Sequence, residues 1–400
     1  MQKPTKTSRI GPLLLALLGA MLLILPFFAA AAPVTKEFRK EVAPKPGAIL
    51  VLENLAGKVT VEGKKDGPVE ILATIHAESG ELLEQLPIEV TESGGRIEVT
   101  AKYPVDRHDV YRYAGEGSGG SGWGSTSTTY LGRNVKVVSG GSSRGVELWA
   151  DFVLRLPPQV GATLQNQVGV IAATNVDGPL TARSGSGNVR IDGGKGQTTA
   201  RSGSGDVSVR GRSGPVEART GSGDVALASI GGDVKVQTGS GDALVEDVTG
   251  SLEAHTGSGN LTLRKATGSR MTARTGSGEI SLRSVSGSLE AHTGSGGIRG
   301  EEMVVAGSLD LDTGSGDVDL SGDFAGLAEA RVGTGSGDVS LRMAKVPGMK
   351  LDLSSSSGEI RLDLPGTKLK AGKKFEMTTG DGAARVKVRT GSGDIRIAGM

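Results

Sequence analysis

Cysteine is absent from the 400 residues. Its absence excludes disulfides, thiol catalysis, iron–sulfur clusters and lipidation of a leader cysteine. Aromatic residues make up only 3%, so a core built on Phe, Tyr and Trp is not expected. Proline, at 15 residues, is below ordinary usage, and the glycines follow no G-X-Y period, which excludes collagen. Neither sign of charge dominates: 45 basic and 44 acidic residues leave a formal net charge of +1. No global field steers the chain to nucleic acid or to an anionic membrane, and no nucleic-acid partner is expected. Helical patterns of 10–15 residues are missing too, which argues against βαβ units.

What is there begins with a leader. Lys3, Lys6 and Arg9 precede the apolar run "GPLLLALLGAMLLILPFF", and "AAAAP" follows. This three-part pattern predicts a secretory signal peptide over 1–31, cut after Ala31, since a cut after Ala32 would put Pro33 beside the scissile bond. The alternative is an uncleaved anchor, because residues 11–28 are just long enough to span a bilayer. No second apolar span follows, so the expected location is periplasmic, cell-surface or secreted.

Glycine is abundant, at 65 residues, and it is periodic. The word G-S-G-[DNEG] begins at Gly185, Gly203, Gly221, Gly239, Gly257, Gly276, Gly294, Gly314, Gly335 and Gly391, with a degenerate copy at Ser356. Early copies are spaced 18 residues apart and later ones slightly more. Between the words apolar residues alternate with polar ones, as in Val216/Ala218 and Val225/Leu227. That is a strand signal. Each unit supplies two short strands and two turns. The predicted fold is therefore all-β: a parallel β-solenoid (β-helix) with coils of about 18 residues, right-handed by analogy with parallel crossovers. About a dozen coils at ~4.8 Å would make a rod of ~50–60 Å. A propeller is set aside because its blades need periods of about 40 residues or more.

Three regions result: the leader 1–31, an irregular β region 34–160 that caps the rod, and the repeats 161–400. Extra residues such as "GDFAGLAEA" (322–330) read as corner loops. The Gly/Ser-rich stretch 114–133 reads as a flexible loop. Tyr111, Tyr113, Trp123 and Tyr130, in and beside it, are candidate contact aromatics, since rigid rings among small residues suit binding surfaces. The chain stops after a regular strand, "TGSGDIRIAGM". This predicts an open last rung that invites end-to-end self-association.

The repeated T-G-S-G-D-V word, flanked by strands such as "GSLEAH", resembles a bacterial family of unknown function whose β-strand-repeat members carry the label "putative adhesin". The resemblance covers residues 48–400, with "VLENLAGKVTVEG" as the entry and "LRLPPQVGATLQNQVGVI" as the approach to the regular coils. It implies a parallel β-solenoid in an extracytoplasmic setting and brings no catalytic residues. The long insertion at 114–133 does not match the family pattern.

Several chemistries could use the repeated word. A phosphate loop needs a following helix and, in the P-loop, a G-K-[ST] sequence; neither occurs in the repeats. A calcium-binding β-roll repeats Gly and Asp every nine residues. Here the acidic position reads Asn188, Asp206, Asp224, Asp242, Asn260, Glu279, Gly297, Asp317, Asp338, Glu359 and Asp394, and the other half-turn usually has no carboxylate. Calcium wants six to eight oxygens, several of them charged. A structural turn is the better reading: the acid accepts nearby N–H groups while the glycines supply positive φ. No metal or cofactor is expected.

Serine in the word lacks a recurring base. Of the four histidines, His76, His108, His255 and His292, the last two share an outward column two coils apart. A polysaccharide-active β-helix enzyme would use outward acids such as Asp310, Asp312 and Asp319, but nothing singles out a pair of them. No catalytic residue is assigned. The most informative surface feature is the outward column Arg183, Arg201, Arg219, Gln237, His255, Arg274, His292, Asp312. Its first three members are a candidate strip for an anionic ligand such as an envelope polysaccharide; a protein partner is the other possibility. The functional expectation is an exported, non-enzymatic interaction module of adhesin type.

Overall fold

Alternation sets the sidedness of every strand. In Val216–Thr220 the side chains of Val216, Ala218 and Thr220 are buried while Glu217 and Arg219 are half-buried, because successive residues of a strand face opposite sides. The computed structural model describes residues 33–115, 125–139 and 141–400. The expected leader and Trp123 lie outside them. Among the described residues are strands and one short helix, Gly80–Glu84, and no helix is long and apolar enough to cross a membrane.

Parallel pairing joins each early repeat strand to the next but one in sequence. Leu180–Ser186, Thr198–Ser202 and Val216–Thr220 begin one ladder, hereafter the first. Val189–Asp192, Val207–Arg210 and Val225–Gly231 begin the second. Between the two lies a thin interior of small aliphatic side chains. The column Val189, Val207, Val225, Ala243, Leu261, Ile280, Ile298, Val318 is fully buried, each larger member contributing about 1.5–3 kcal/mol of burial.

Glycines of the repeated word are required by space, which corrects the expected reason. Neither Gly221 nor Gly223 has a positive φ. A Cβ on Gly221 would stand 2.4 Å from the Gly203 carbonyl oxygen, and one on Gly223 only 2.3 Å from that of Gly205. Coils therefore touch backbone to backbone at this corner. The left-handed conformation is used at the opposite corner, where Asn175, Ser229, Asp247, Lys265, Ser284 and Glu302 have φ of 50–55°.

The buried side of the glycine corner is closed by hydroxyls. Thr220 Oγ1 donates to the carbonyl of Gly205 in the preceding coil (2.8 Å) and accepts from Gly223 N–H in its own (3.2 Å). Thr238, Thr256, Thr275 and Thr334 repeat the arrangement. On the solvent side, each turn acid accepts an N–H from the next coil rather than from its own. Asp206 accepts from Asp224 N–H at 3.0 Å, and Asp224 from Asp242 N–H at 2.8 Å. Asn188, Asp242, Asn260, Asp317, Asp338 and Asp394 do the same, which places Glu279 and Glu359 on the donating side.

Residues 322–330, expected as a corner loop, are strand. They belong to Val318–Thr334, which rounds the corner paired with Ile298–Thr313 through register shifts. Phe324 and Leu327 fill the interior there, and that burial is why the insertion is not a surface loop.

Both ends depart from sequence order. Near the N-terminus, Ile49–Ala56 lies in the first ladder between Gly161–Val168 and Arg96–Ala101. Val59–Gly63 lies in the second between Ile171–Thr174 and Val146–Leu156. Antiparallel strands close the outside: Ile88–Ser93 on the first ladder, Val69–Ala77 and then Val34–Val42 on the second. A side sheet joins Val110–Tyr113, Arg133–Ser139 and Ser125–Tyr130, so part of the stretch expected as a loop is a hairpin, turned at Leu131 and Gly132 with positive φ.

At the other end, Ala384–Thr390 is inserted between Val318–Thr334 and Met349–Ser355. Ile395–Gly399 is inserted between Val339–Lys345 and Ile360–Leu364. The expected open last rung is thereby overturned: the final strands have partners on both sides. The outermost strands are instead Lys374–Thr379 and Thr367–Ala371, both antiparallel.

Candidate functional site

The outward face of the first ladder carries its charges in register. Arg183, Arg201, Arg219, Gln237, His255, Arg274, His292 and Asp312 stack one per coil. Beside them run Thr199, Glu217, Lys235, Glu253, Thr272, Glu290 and Asp310. The two columns neutralise each other. Glu217 Oε1 lies 2.7 Å from both Arg201 and Arg219, one carboxylate serving two neighbouring coils. Arg183, the first member of the expected strip, is exposed and makes no ion pair among the described residues.

The same three-point device recurs every second coil. Glu253 contacts Lys235 (2.8 Å) and His255 (3.0 Å), and Glu290 contacts Arg274 and His292. Hydrogen bonds from Lys235 hold the Glu253 carboxyl below the usual carboxylate range, and those from Arg274 do so for Glu290. Along these strands runs a shallow trough of about 540 Å³, floored by Thr198, Val216, Val234 and Leu252 and walled by Glu217, Lys235, Glu253 and Arg274. Arg270 and Glu290 also line a smaller hollow that reaches Glu329 and Arg331.

The structure does not present Tyr111, Tyr113 and Tyr130 as contact aromatics. All three are at most 1% exposed and lie between the side sheet and the first coil. Tyr130 Oη donates toward the carbonyls of Ala101 (2.7 Å) and Glu53 (3.1 Å). Tyr103, Tyr111 and Tyr130 meet edge to face, and Tyr113 packs against Trp149, which stacks on His76. Burial drives the rings inward because this end holds most of the few aromatics the chain has, and burial pushes the phenols of Tyr103 and Tyr130 far above their usual range.

Sequence reasoning missed a polar network beneath these rings. Asn54 Nδ2 donates to Ala56 O (3.1 Å), Ala150 O (3.0 Å) and Asn166 Oδ1 (3.0 Å). Tyr103 Oη donates to Ala56 O (2.9 Å) and accepts from Ala150 N–H (3.1 Å). It missed Arg212 as well, which is 1% exposed. Its guanidinium donates to the carbonyls of Val176, Gly193, Gly178, Lys195 and Gly196, and burial lowers its pKa from the usual value. A readable signal existed: Arg212 stands in a column continued by Ile230 and Val248. Among the described residues no three metal-ligating side chains converge.

Several known proteins are similar to the chain at low identity. A "putative cell adhesion protein" from Clostridium sporogenes is 12% identical, with 92% of this chain and 100% of that chain covered at a TM-score of 0.18. A "putative adhesin" from Parabacteroides distasonis is 12% identical, covering 77% and 97% at 0.32. A "putative lipid binding protein" from the same organism is 13% identical, covering 92% and 97% at 0.29. No curated protein matches the chain. The family model described as Toastrack DUF4097 matches residues 161–246, 215–327 and 325–398. These segments together span more than half of the sequence, and the chain therefore belongs to the Toastrack DUF4097 family.

Proposed function

We propose that this protein is an exported, non-enzymatic β-solenoid that presents the outward face of its first ladder to a cell-envelope partner. Residues 1–31 act as a cleaved signal peptide, 34–160 form the N-terminal cap, and 161–400 form a right-handed stack of coils. One observation carries the reading: outward charged side chains stand in strict register along an extended trough, each acidic group shared between coils. A repeating, unbranched surface of this kind suits an extended partner. It offers no single point at which a nucleophile, a base and an oxyanion site converge, as catalysis demands.

The test is capture of envelope material on the immobilised chain from Ala32 onward. Retention of an envelope polysaccharide or protein is expected, weakened by added salt because exposed charges are screened. Finding nothing retained would overturn the reading, as would release of reducing sugar from acidic polysaccharides. Raising the melting temperature with calcium, reversed by chelator, would favour a calcium roll instead.

A further inference from the structure

Charge is unevenly divided along the chain. Residues 345–400 hold eleven Lys and Arg against six Asp and Glu, while residues 1–344 hold 34 against 38. The inserted strand Ala384–Thr390 turns Arg385, Lys387 and Arg389 outward on the first ladder. Lys350 is in register with Arg385 on one side, and Arg331 with Lys387 on the other.

Like charges placed opposite on adjacent strands are destabilising. In the middle of the ladder a glutamate relieves each such contact. Here relief is incomplete: Glu329 pairs with Arg331 at 2.8 Å, and Lys387 comes only to 4.0 Å from Asp352. Among the described residues Lys350, Arg385 and Arg389 make no ion pair. Arg389 stands between Gly333 on one neighbouring strand and Ser354 on the other. These strands and Lys374–Thr379 bound a cleft of about 700 Å³.

We infer that this cleft binds a linear acidic polysaccharide, its carboxylates seated on Lys350, Arg385 and Lys387. The inference rests on the interaction-module reading above and assigns it a ligand class and a place. Cations one strand apart, ~4.8 Å, suit a ligand that repeats its charge along its length. Glu329, Asp352 and Glu376 also line the cleft and can accept hydrogen bonds from sugar hydroxyls between the charges. No aromatic ring lines it, so nucleic-acid bases have no stacking platform. Of its apolar lining residues, Ala330, Leu351 and Val386 are buried and Met377 alone is half-buried, which leaves little to insert into a bilayer.

The experiment titrates polygalacturonate into the chain from Ala32 onward by calorimetry, at low and high salt, with oligo-deoxythymidine and phosphatidylglycerol vesicles as parallel arms. Binding to polygalacturonate is expected, weakened by salt and lowered by about tenfold or more in K350Q/R385Q/K387Q. It should be unchanged in R190Q/R210Q, two exposed arginines of the second ladder. The single R385Q variant should show an intermediate loss at an unaltered melting temperature. The assignment is overturned if polygalacturonate does not bind, if the triple variant keeps its affinity, or if DNA or vesicles bind more tightly. An envelope partner that the triple variant still captures would remove this assignment and leave the broader reading standing; capture of nothing by the unaltered chain would remove both.

Discussion

The two ends of this solenoid use one topological device with opposite chemistry. At each end a strand stands between neighbours distant in the chain, and antiparallel strands close the outside. The N-terminal end is sealed by a dry cluster of tyrosines over hydrogen-bonded asparagines. The C-terminal end is closed by two thin strands, Thr367–Ala371 and Lys374–Thr379, that alternate half-buried and exposed residues. One end is stabilised by burial. The other is guarded by lysine, which blunts an exposed edge against pairing with another chain.

The sharpest way to break this comparison is to remove a polar group from each end of one continuous column. Asn54→Ala leaves Ala150 O and Asn166 Oδ1 short of a donor in a dry site and is expected to cost about 3–5 kcal/mol. Ser355→Ala, which loses the Gly393 and Gly358 contacts near the thin end, is expected to cost about 1–2 kcal/mol. Urea midpoints measure both, and equal shifts would refute the difference between the ends.

A second prediction uses alkali. All four tyrosines, at 103, 111, 113 and 130, lie at the N-terminal end. Burial raises the folded-state pKa of Tyr103 and Tyr130 above an unfolded value of about 10. The linked stability is therefore fully present below pH ~10 and is lost as pH rises toward the folded values. Hydrogen exchange above that pH should show residues 96–113 and 146–156 opening before residues 349–399. Tyrosinate absorbance that rises at pH 10 with no such opening would show that the rings are accessible after all.

The smallest effect on stability is expected from Lys368, Lys370, Lys373 and Lys374 changed together to Thr. These side chains are exposed, so the change should stay within about 0.5 kcal/mol. Sedimentation should nevertheless show end-to-end association that the unaltered chain lacks. A variant that stays monomeric would mean that lysine does not guard this edge.

The middle of the molecule was legible because its information is local. Val216/Ala218 alternation gives the strand, and the 18-residue interval gives the neighbour. The outward column from Arg183 to Asp312 follows without any structure. The ends were not legible, because their pairings join residues distant in sequence: Thr334 meets Thr390, and Glu53 meets Thr100. For that reason the cationic cleft stayed hidden, since "ARVKVRT" reads as one more strand until its neighbours are known. The glycine word was located correctly but given the wrong cause, because a sequence shows a turn residue and not the carbonyl that presses against it. Tyr111, Tyr113 and Tyr130 sit in and beside a Gly/Ser-rich stretch, and composition there gave no hint of the Asn54 network waiting for them.

The insertion of Ala384–Thr390 and Ile395–Gly399 also sets an order of assembly. The coil made of Met349–Ser355 and Ile360–Leu364 cannot rest on the coil before it, since the strands that lie between them are synthesised later. Zipping from the N-terminus can proceed coil by coil until Lys345 and must then pause. Closure of the next two coils depends on contacts of long sequence separation, which form slowly. A chain moving through a membrane from its N-terminus would therefore hold its last two coils in abeyance until residues 384–399 had followed it across.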